Sequence, residues 1–402
     1  MIRAIEIKNF FSFRDATRFD FTVNAKAGDR DVFAADPADG PDSPVQVNKV
    51  MAIFGANASG KTQFLKAVAF LRWFVLHSAQ AKPDSKVLPM AFLFDPECEN
   101  QPTDLAMEFS VGEKLYRYEL QIHQGVVHRE VLKVKKTRWS TVFDRELEDD
   151  RYRFTPSTPA YWKDQPDRKN ASILSWAYLA DEDETAQAVG RWFSRIQTNV
   201  NHHGRTRQHD PAIDRLLEAA EFFDNNPDQL EWVNERLCRF DLGLGGVVIN
   251  RVQAVVESED KQEIPWPEGI HSVSGSANRS IPLINESLGT QSLFILLRYL
   301  LPVLESGGVA VLDEFEHGLH PHMLPVLVEL FLGRHNAKNA QLIFNCHSDY
   351  LIRELEKYQM ALVAKDDQGV SDIWRADETG VRNQDNLYAK YHAGKLGGVP
   401  AF

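Results

Sequence analysis

The nine residues FGANASGKT at positions 54–62 leave this chain few ways to fold. They fit G-x-x-x-x-G-K-[ST], with Gly55, Gly60, Lys61 and Thr62 at the fixed positions and Asn57 and Ser59 in the loop between. The pattern works as a turn from a strand into a helix. Its glycines let backbone N–H groups face an anion without a side chain in the way, and a helix starting near Lys61 adds the positive end of its dipole. Both flanks agree. KVMAIF is a short apolar run closed by the glycine turn, and Phe64, Leu65, Val68, Leu71 and Val75 follow at helical spacing. In such a loop the lysine reaches the β- and γ-phosphates and the threonine hydroxyl sits on Mg²⁺, so ATP with Mg²⁺ is the expected ligand.

Around this loop the pattern changes several times. AIEIKNFFSF and FRDATRFDFTV alternate like two strands, and the Asp/Gly/Pro-rich stretch 24–46 reads as a surface loop. From Asp104 to about Val142 a period of two, broken at GEK and HQG, predicts an antiparallel meander. Helices are expected at about 171–197 and 211–239, without the sustained heptads of a coiled-coil arm. GGVVINRVQAVVE returns to strand character, and residues 286–365 alternate helix and strand as a wound α/β sheet does. No repeat of fixed period is present. The expected division is 1–140, a mainly helical insertion at 141–245, and 246–402.

Two further strand ends carry chemistry. GGVAVLDEFEHGLHP is an apolar strand ending in Asp313 and Glu314. A buried strand that delivers a carboxylate beside a phosphate loop holds the Mg²⁺ shell, which makes Asp313 the metal candidate. Glu314, one residue on, is placed to polarise an attacking water. AQLIFNCHSDYLI is another apolar strand, ending at His347, whose imidazole can donate to a γ-phosphate. His317, His320 and His322 lack supporting Cys or carboxylate spacing and read as a polar turn.

Composition narrows the setting. Of 402 residues 43% are hydrophobic and 25% charged, enough for a large core. A net charge of −12 argues against a nucleic-acid coat, although Lys133, Lys135, Lys136 and Arg138, or Arg205 and Arg207, could serve as a local basic groove. The start MIRAIEIKNFFSF has no apolar core of a signal peptide, and LFILLRYLLPVL, interrupted by Arg298 and Pro302, is short for a bilayer. Cys98, Cys238 and Cys346 share no metal-like or disulfide spacing. A cytoplasmic protein without a membrane partner is expected.

At 286–292 the chain reads ESLGTQS, a hydroxyl, a glycine and an amide set against a helix start. In order, the chain has an aromatic N-terminal strand, phosphate loop, meander, helical insertion, ESLGTQS, strand-Asp-Glu and strand-His. This order resembles the ABC-type ATPase head shared by SMC and RecF-like DNA-repair ATPases and by OLD-type and abortive-infection ATPases of bacteria. The resemblance covers roughly residues 1–140 and 245–365. It implies an α/β P-loop head with an antiparallel β part, in which the signature turn closes the site of another copy. Ser287, Gly289 and Gln291 then face the γ-phosphate bound at Gly55–Thr62 of the partner, and ATP acts as glue in a homodimer or larger assembly. By the same resemblance, NFFSFRD touches the nucleotide through Arg14. Thr290 stands where the usual signature has a second glycine, and no glutamine lever is identified, Gln101 being only a loop residue.

The tail YHAGKLGGVP looks like that of the stand-alone abortive-infection group, and the roughly 55 residues after His347 lack the clustered carboxylates of a two-metal nuclease. The resemblance therefore implies an ATP-gated switch or scaffold in antiphage defence that controls a separately encoded effector, such as a nuclease. The alternative is a RecF-like clamp on duplex DNA. Lys61→Ala is expected to abolish nucleotide binding, while Glu314→Gln keeps binding and stalls hydrolysis. Equilibrium titration with a fluorescent ATP analogue, beside a phosphate-release assay, checks both.

Overall fold

A computed structural model describes the chain except residues 25–30, 41–42, 44, 83–89, 167, 202–203, 206–211, 238–242, 256–260, 272–277 and 400–402. Arg207 and Cys238 lie outside the described residues. The chain divides into two compact units, one of residues 1–205, 303–315 and 328–402, the other of 206–302 and 316–327. Residues 141–205, expected to open the helical insertion, belong to the first.

The first unit is built on two sheets. In the six-stranded sheet the order is Ile196–Thr198, Val309–Leu312, Gln341–Asn345, Val50–Gly55, Met360–Lys365 and Ser371–Arg375. All neighbours are parallel except the last pair. Val50–Gly55, Val309–Leu312 and Gln341–Asn345 are buried at every residue, which is why they read as unbroken apolar runs rather than alternations. The phosphate-loop strand thus lies between the strand that ends before His347 and Met360–Lys365. The strand bearing Asp313 is one place further out.

The second sheet is antiparallel and seven-stranded, in the order Arg151–Phe154, Trp139–Glu148, Val126–Lys135, Lys114–His123, Thr103–Val111, Ile2–Lys8, Thr17–Asp20. Its inner face and the helix Lys61–His77 share one core, in which Phe64 meets Phe13 and Phe19 at ring-centroid distances of 6.3 and 5.5 Å. An α/β fold with an antiparallel β part is therefore present. The meander runs further than expected because Asp149 and Asp150 both take positive φ, 48° and 70°, and turn the chain into a last hairpin. Both central residues of such a turn must leave the usual φ range, and Asp-Asp is a weaker signal for it than Asn-Gly.

Other differences are local. The stretch read as a loop carries the strand Phe33–Ala35, paired with Val45–Asn48, whose other edge pairs with Thr22–Asn24. The helix expected at 171–197 is two, Ile173–Ala180 and Glu184–Ser194. Asp181 takes φ 58° and Asp183 starts the second by accepting from the Ala186 N–H at 2.8 Å. Helix 211–239 likewise breaks into Ala212–Asn225 and Pro227–Leu237, with proline at the first helical position.

The second unit holds those two helices and a three-stranded antiparallel sheet of Gly246–Val255, Lys261–His271 and Arg279–Pro282. The LFILLRYLLPVL run belongs to a 19-residue helix, Leu288–Ser306, longer than the sequence suggested. By length and composition it is the one helix among the described residues that could cross a membrane, and half of that window is buried inside the protein. Leu293, Phe294, Leu297 and Leu300 are fully buried, and Phe294 packs on Phe223 at 4.9 Å.

One polar cluster fixes the meander to the helices behind it. The Glu130 carboxylate, fully buried, accepts from Arg145 Nε at 2.9 Å, Tyr118 OH at 2.8 Å and the Ile173 N–H at 3.1 Å, and from Ser172 Oγ. Removing one partner of such a buried pair leaves a charge with no water. Glu130→Ala is expected to lower stability by about 3–5 kcal/mol in urea unfolding. An unchanged midpoint would contradict that account.

Candidate active site

The strand Val50–Gly55 delivers its glycine against the neighbouring backbone: a Cβ on Gly55 would lie 2.3 Å from the Val363 carbonyl oxygen. At the far end of the loop Gly60 has φ 118°, and a Cβ there would meet Ser371 Oγ at 2.6 Å and Ser12 Oγ at 3.0 Å. Neither position admits a side chain. Asn57 and Ala58 are exposed, and Ser59 turns inward. Lys61 is buried and donates to the carbonyls of Gly55 and Ala56, each at 2.8 Å, so its ammonium is held over the loop.

Thr62 Oγ1 donates to Asp313 Oδ1 at 2.9 Å, joining residues from the helix after the loop and the strand Val309–Leu312. Asp313 is almost wholly buried. Its carboxylate also accepts from Asn345 Nδ2, and its own peptide is gripped by Asn199. Glu314 has φ 49°, a left-handed backbone that costs a non-glycine residue about 1–3 kcal/mol. Its N–H donates to Asn345 Oδ1 at 2.6 Å, which helps to hold that turn. His347 is exposed, two residues beyond the strand Gln341–Asn345.

The structure therefore brings Gly55, Ser59, Gly60, Lys61, Thr62, Asp313 and Glu314 into one neighbourhood, with His347 just past the end of the strand between. Arg14 stands apart. It binds Asp15 through two hydrogen bonds of 3.1 Å and Gln368 Oε1 at 3.0 Å. From the same NFFSFRD stretch it is Ser12 that meets the loop: its N–H donates to Gln63 Oε1 at 3.2 Å, and its Oγ lies 2.6 Å from Ser371 Oγ, which is itself 2.5 Å from the Ser59 carbonyl. Gln101 is exposed, and its carbonyl accepts from Asn9 at 3.0 Å. Lys66 lies 4.2 Å from the Phe11 ring. Burial pulls its pKa down, opposed by the Asp313 charge.

Sequence reading missed Ser12, Ser371, Asn199 and Asn345. Each is a single polar residue without periodicity of its own; Ser12 and Asn345 lie inside NFFSFRD and AQLIFNCHSDYLI, where neighbouring residues carried the signal.

In the second unit, Ser287 is exposed and caps the helix Leu288–Ser306, its Oγ accepting from the Thr290 N–H at 3.2 Å. The Thr290 hydroxyl pairs with it at 2.8 Å, so the residue standing for a second glycine reinforces the cap. Gln291 donates to the carbonyls of Ile284 and Glu286, at 3.0 and 2.9 Å, which commits its amide to the turn. Gly289 has the Gly318 carbonyl 3.3 Å from where a Cβ would stand. His317, His320 and His322 are exposed, and no group of three metal-binding side chains occurs among the described residues.

Does the loop fit a nucleotide? Ser59 Oγ is buried with no hydrogen-bond partner, in a loop whose glycines keep side chains out. An orphan hydroxyl beside a buried lysine suits phosphate oxygens. The Thr62 hydroxyl with the Asp313 carboxylate is an all-oxygen donor set that suits Mg²⁺.

Loop, helix and carboxylate strand together define a P-loop ATPase domain of the ABC/AAA class. A family profile described as "AAA domain, putative AbiEii toxin, Type IV TA system" matches residues 50–353, and the chain belongs to this family. No curated protein matches significantly. Among solved structures, an SMC head bound to the C-winged helix domain of ScpA aligns at 15% identity and TM-score 0.47, over 93% of this chain and 97% of its own. The SMC head domain from Thermotoga maritima aligns at 18% and 0.41, over 93% and 98%. An SMC head with an extended coiled coil, bound to the C-terminal domain of ScpA derived from Pyrococcus furiosus, aligns at 13% and 0.43, over 93% and 96%.

Gly60→Ala is expected to weaken ATP binding by about tenfold or more while the protein stays folded, because the new methyl strikes Ser371 and Ser12 at a φ that disfavours it. Titration with a fluorescent ATP analogue, beside a thermal melt, measures both.

Proposed function

We propose that this chain is a MgATP-hydrolysing switch whose site is completed by a second copy, acting in the cytoplasm in antiphage defence by holding or releasing a separately encoded effector. The observation that carries the enzymatic part is the Thr62–Asp313 hydrogen bond, which unites the loop with an acidic strand 251 residues away. In this reading the loop N–H groups, Ser59 Oγ and Lys61 bind the phosphates. Thr62 and Asp313 hold Mg²⁺, with Asn57 at the exposed rim. Mg²⁺ there supplies positive charge against the phosphate oxygens.

Glu314 orients a water and takes its proton as the water oxygen bonds to the γ-phosphorus. The bond from that phosphorus to the bridging oxygen breaks, giving ADP and phosphate. His347, exposed at its strand end, donates to the γ-phosphate and so reports its loss. Ser287 and Gly289 offer a hydroxyl and an N–H at a helix start to the neighbour's γ-phosphate. Arg14, if it serves the nucleotide, must first leave Asp15 and Gln368.

The defence role is supported by the family, whose description names an abortive-infection toxin. Control of an effector, a nuclease being the favoured kind, extends that reading. The duplex-DNA alternative has less behind it. Lys133 is tied to Glu119 at 2.9 Å, leaving Lys136 and Arg138 as the exposed cations of that patch. Salt-sensitive duplex binding that stimulates hydrolysis would favour it.

The test is the solution mass of Glu314→Gln with and without MgATP. A shift from monomer to dimer only with MgATP is expected. A monomer throughout would remove the second copy from the site, and a nucleotide-independent mass would make the assembly a standing scaffold.

A further inference from the structure

The catalytic carboxylates sit on a short stretch of backbone that two asparagines grip from opposite sides. On one side the parallel ladder between Ile196–Thr198 and Val309–Leu312 ends at the pair Thr198 and Val311. Beyond it the Asn199 side chain takes over. Its Nδ2 donates to the Asp313 carbonyl at 2.9 Å and its Oδ1 accepts the Asp313 N–H at 2.8 Å. A primary amide offers a donor and an acceptor side by side, as a peptide does, so the ladder is continued by a side chain at the residue that bears the carboxylate. A hydroxyl has one atom for both roles, and a carboxylate has no donor.

On the other side the ladder to Gln341–Asn345 ends at the pair Leu312 and Phe344. There Asn345 Oδ1 accepts the Glu314 N–H at 2.6 Å, its Nδ2 donates to the Asp313 carboxylate, and its carbonyl accepts the Phe315 N–H at 3.1 Å. Successive peptides from Asp313 to Phe315 are thus tied, and Glu314 is held in its left-handed turn. The strand that leads into Asn199 is anchored to the nucleotide loop's own helix, since Arg72 Nε donates to the Ile196 carbonyl at 2.7 Å.

We infer that Asn199 and Asn345 are positioning residues for Asp313 and Glu314. Asn199 sets the main chain and Asn345 the carboxylate and the Glu314 turn, so that loss of either amide stalls hydrolysis while nucleotide still binds. The inference rests on the ATPase reading above. The hydrogen bonds above take both amides to Asp313 and Glu314, so the binding of phosphates through the loop Gly55–Thr62 is separable from the geometry of the acidic pair. Residues that orient metal-holding carboxylates shift metal affinity and turnover together.

The experiment uses the full chain and four variants, Asn199→Ala, Asn199→Asp, Asn345→Ala and Asn345→Asp. For each, thermal stability, ATP-analogue affinity in EDTA, kcat, KM and the half-saturating Mg²⁺ concentration are measured. The alanine variants are expected to lose about tenfold or more in kcat and to need more Mg²⁺. Their EDTA affinity is expected to change by less than about threefold, since the loop donors are untouched.

The aspartate variants keep the shape and one acceptor each, so they remain informative if an alanine variant does not fold. Asn199→Asp retains the acceptor for the Asp313 N–H and loses the donor, so its kcat falls less than that of Asn199→Ala. Asn345→Asp sets a second negative charge beside Asp313, and its Mg²⁺ requirement departs from that of Asn345→Ala. Unchanged kcat and Mg²⁺ dependence in folded variants, with an active parent, would overturn the clamp alone. So would a kcat loss that merely tracks EDTA affinity and melting temperature. A parent without any Mg²⁺-dependent turnover would overturn the ATPase reading and the clamp with it.

Discussion

The hydrogen bond from Thr62 to Asp313 fixes how the rest of the first unit must be arranged. A bond to an ionised acceptor is worth about 1.5–3 kcal/mol, modest beside the core around it. Its geometric demand is larger. Thr62 can meet Asp313 only if the phosphate-loop strand and the acidic strand run parallel in one sheet, with the strand Gln341–Asn345 between them in register. Parallel neighbours need long connections, and here those connections carry the meander, the helices and the second unit.

Around that bond, side-chain amides recur where backbone pairing runs out. Gln341, fully buried, accepts the Ile2 N–H at 2.8 Å and donates to the Ile2 and Asn48 carbonyls at 3.1 and 3.0 Å, joining the antiparallel sheet to the parallel one. Asn336 closes the turn before that strand through the carbonyls of Phe331 and Ala340 and the Ala340 N–H. Asn199 and Asn345 do the same at the site. Buried peptide groups must be paired, and an amide can pair with both halves of one. These residues pair backbone groups where two sheets and a left-handed acidic turn meet.

The phosphate-loop unit was legible from sequence, because its chemistry needs Gly55, Gly60, Lys61 and Thr62 at fixed spacing between an apolar strand and an amphipathic helix. The strand ends at Asp313 and His347 were legible once that loop was in hand. The partners of those residues were not. Ser12 and Ser371 come from opposite ends of the chain, and Asn199 from the polar link between two expected helices. The Asp149–Asp150 turn was missed because neither residue is a glycine, and the helix break at Asp181–Asp183 because its caps lie within an otherwise helical pattern.

What the sequence determined by itself is local: which segments are buried strands, where a helix begins over a glycine turn, and which carboxylates and imidazole stand at strand ends. Such features follow from apolar spacing and turn chemistry acting over a few residues. The tertiary structure decided the order of strands, the choice of Ser12 over Arg14 against the loop, and the amides that hold Asp313 and Glu314. Those outcomes come from contacts between residues 31 to 359 positions apart, where burial and backbone pairing, rather than local propensity, select the partner.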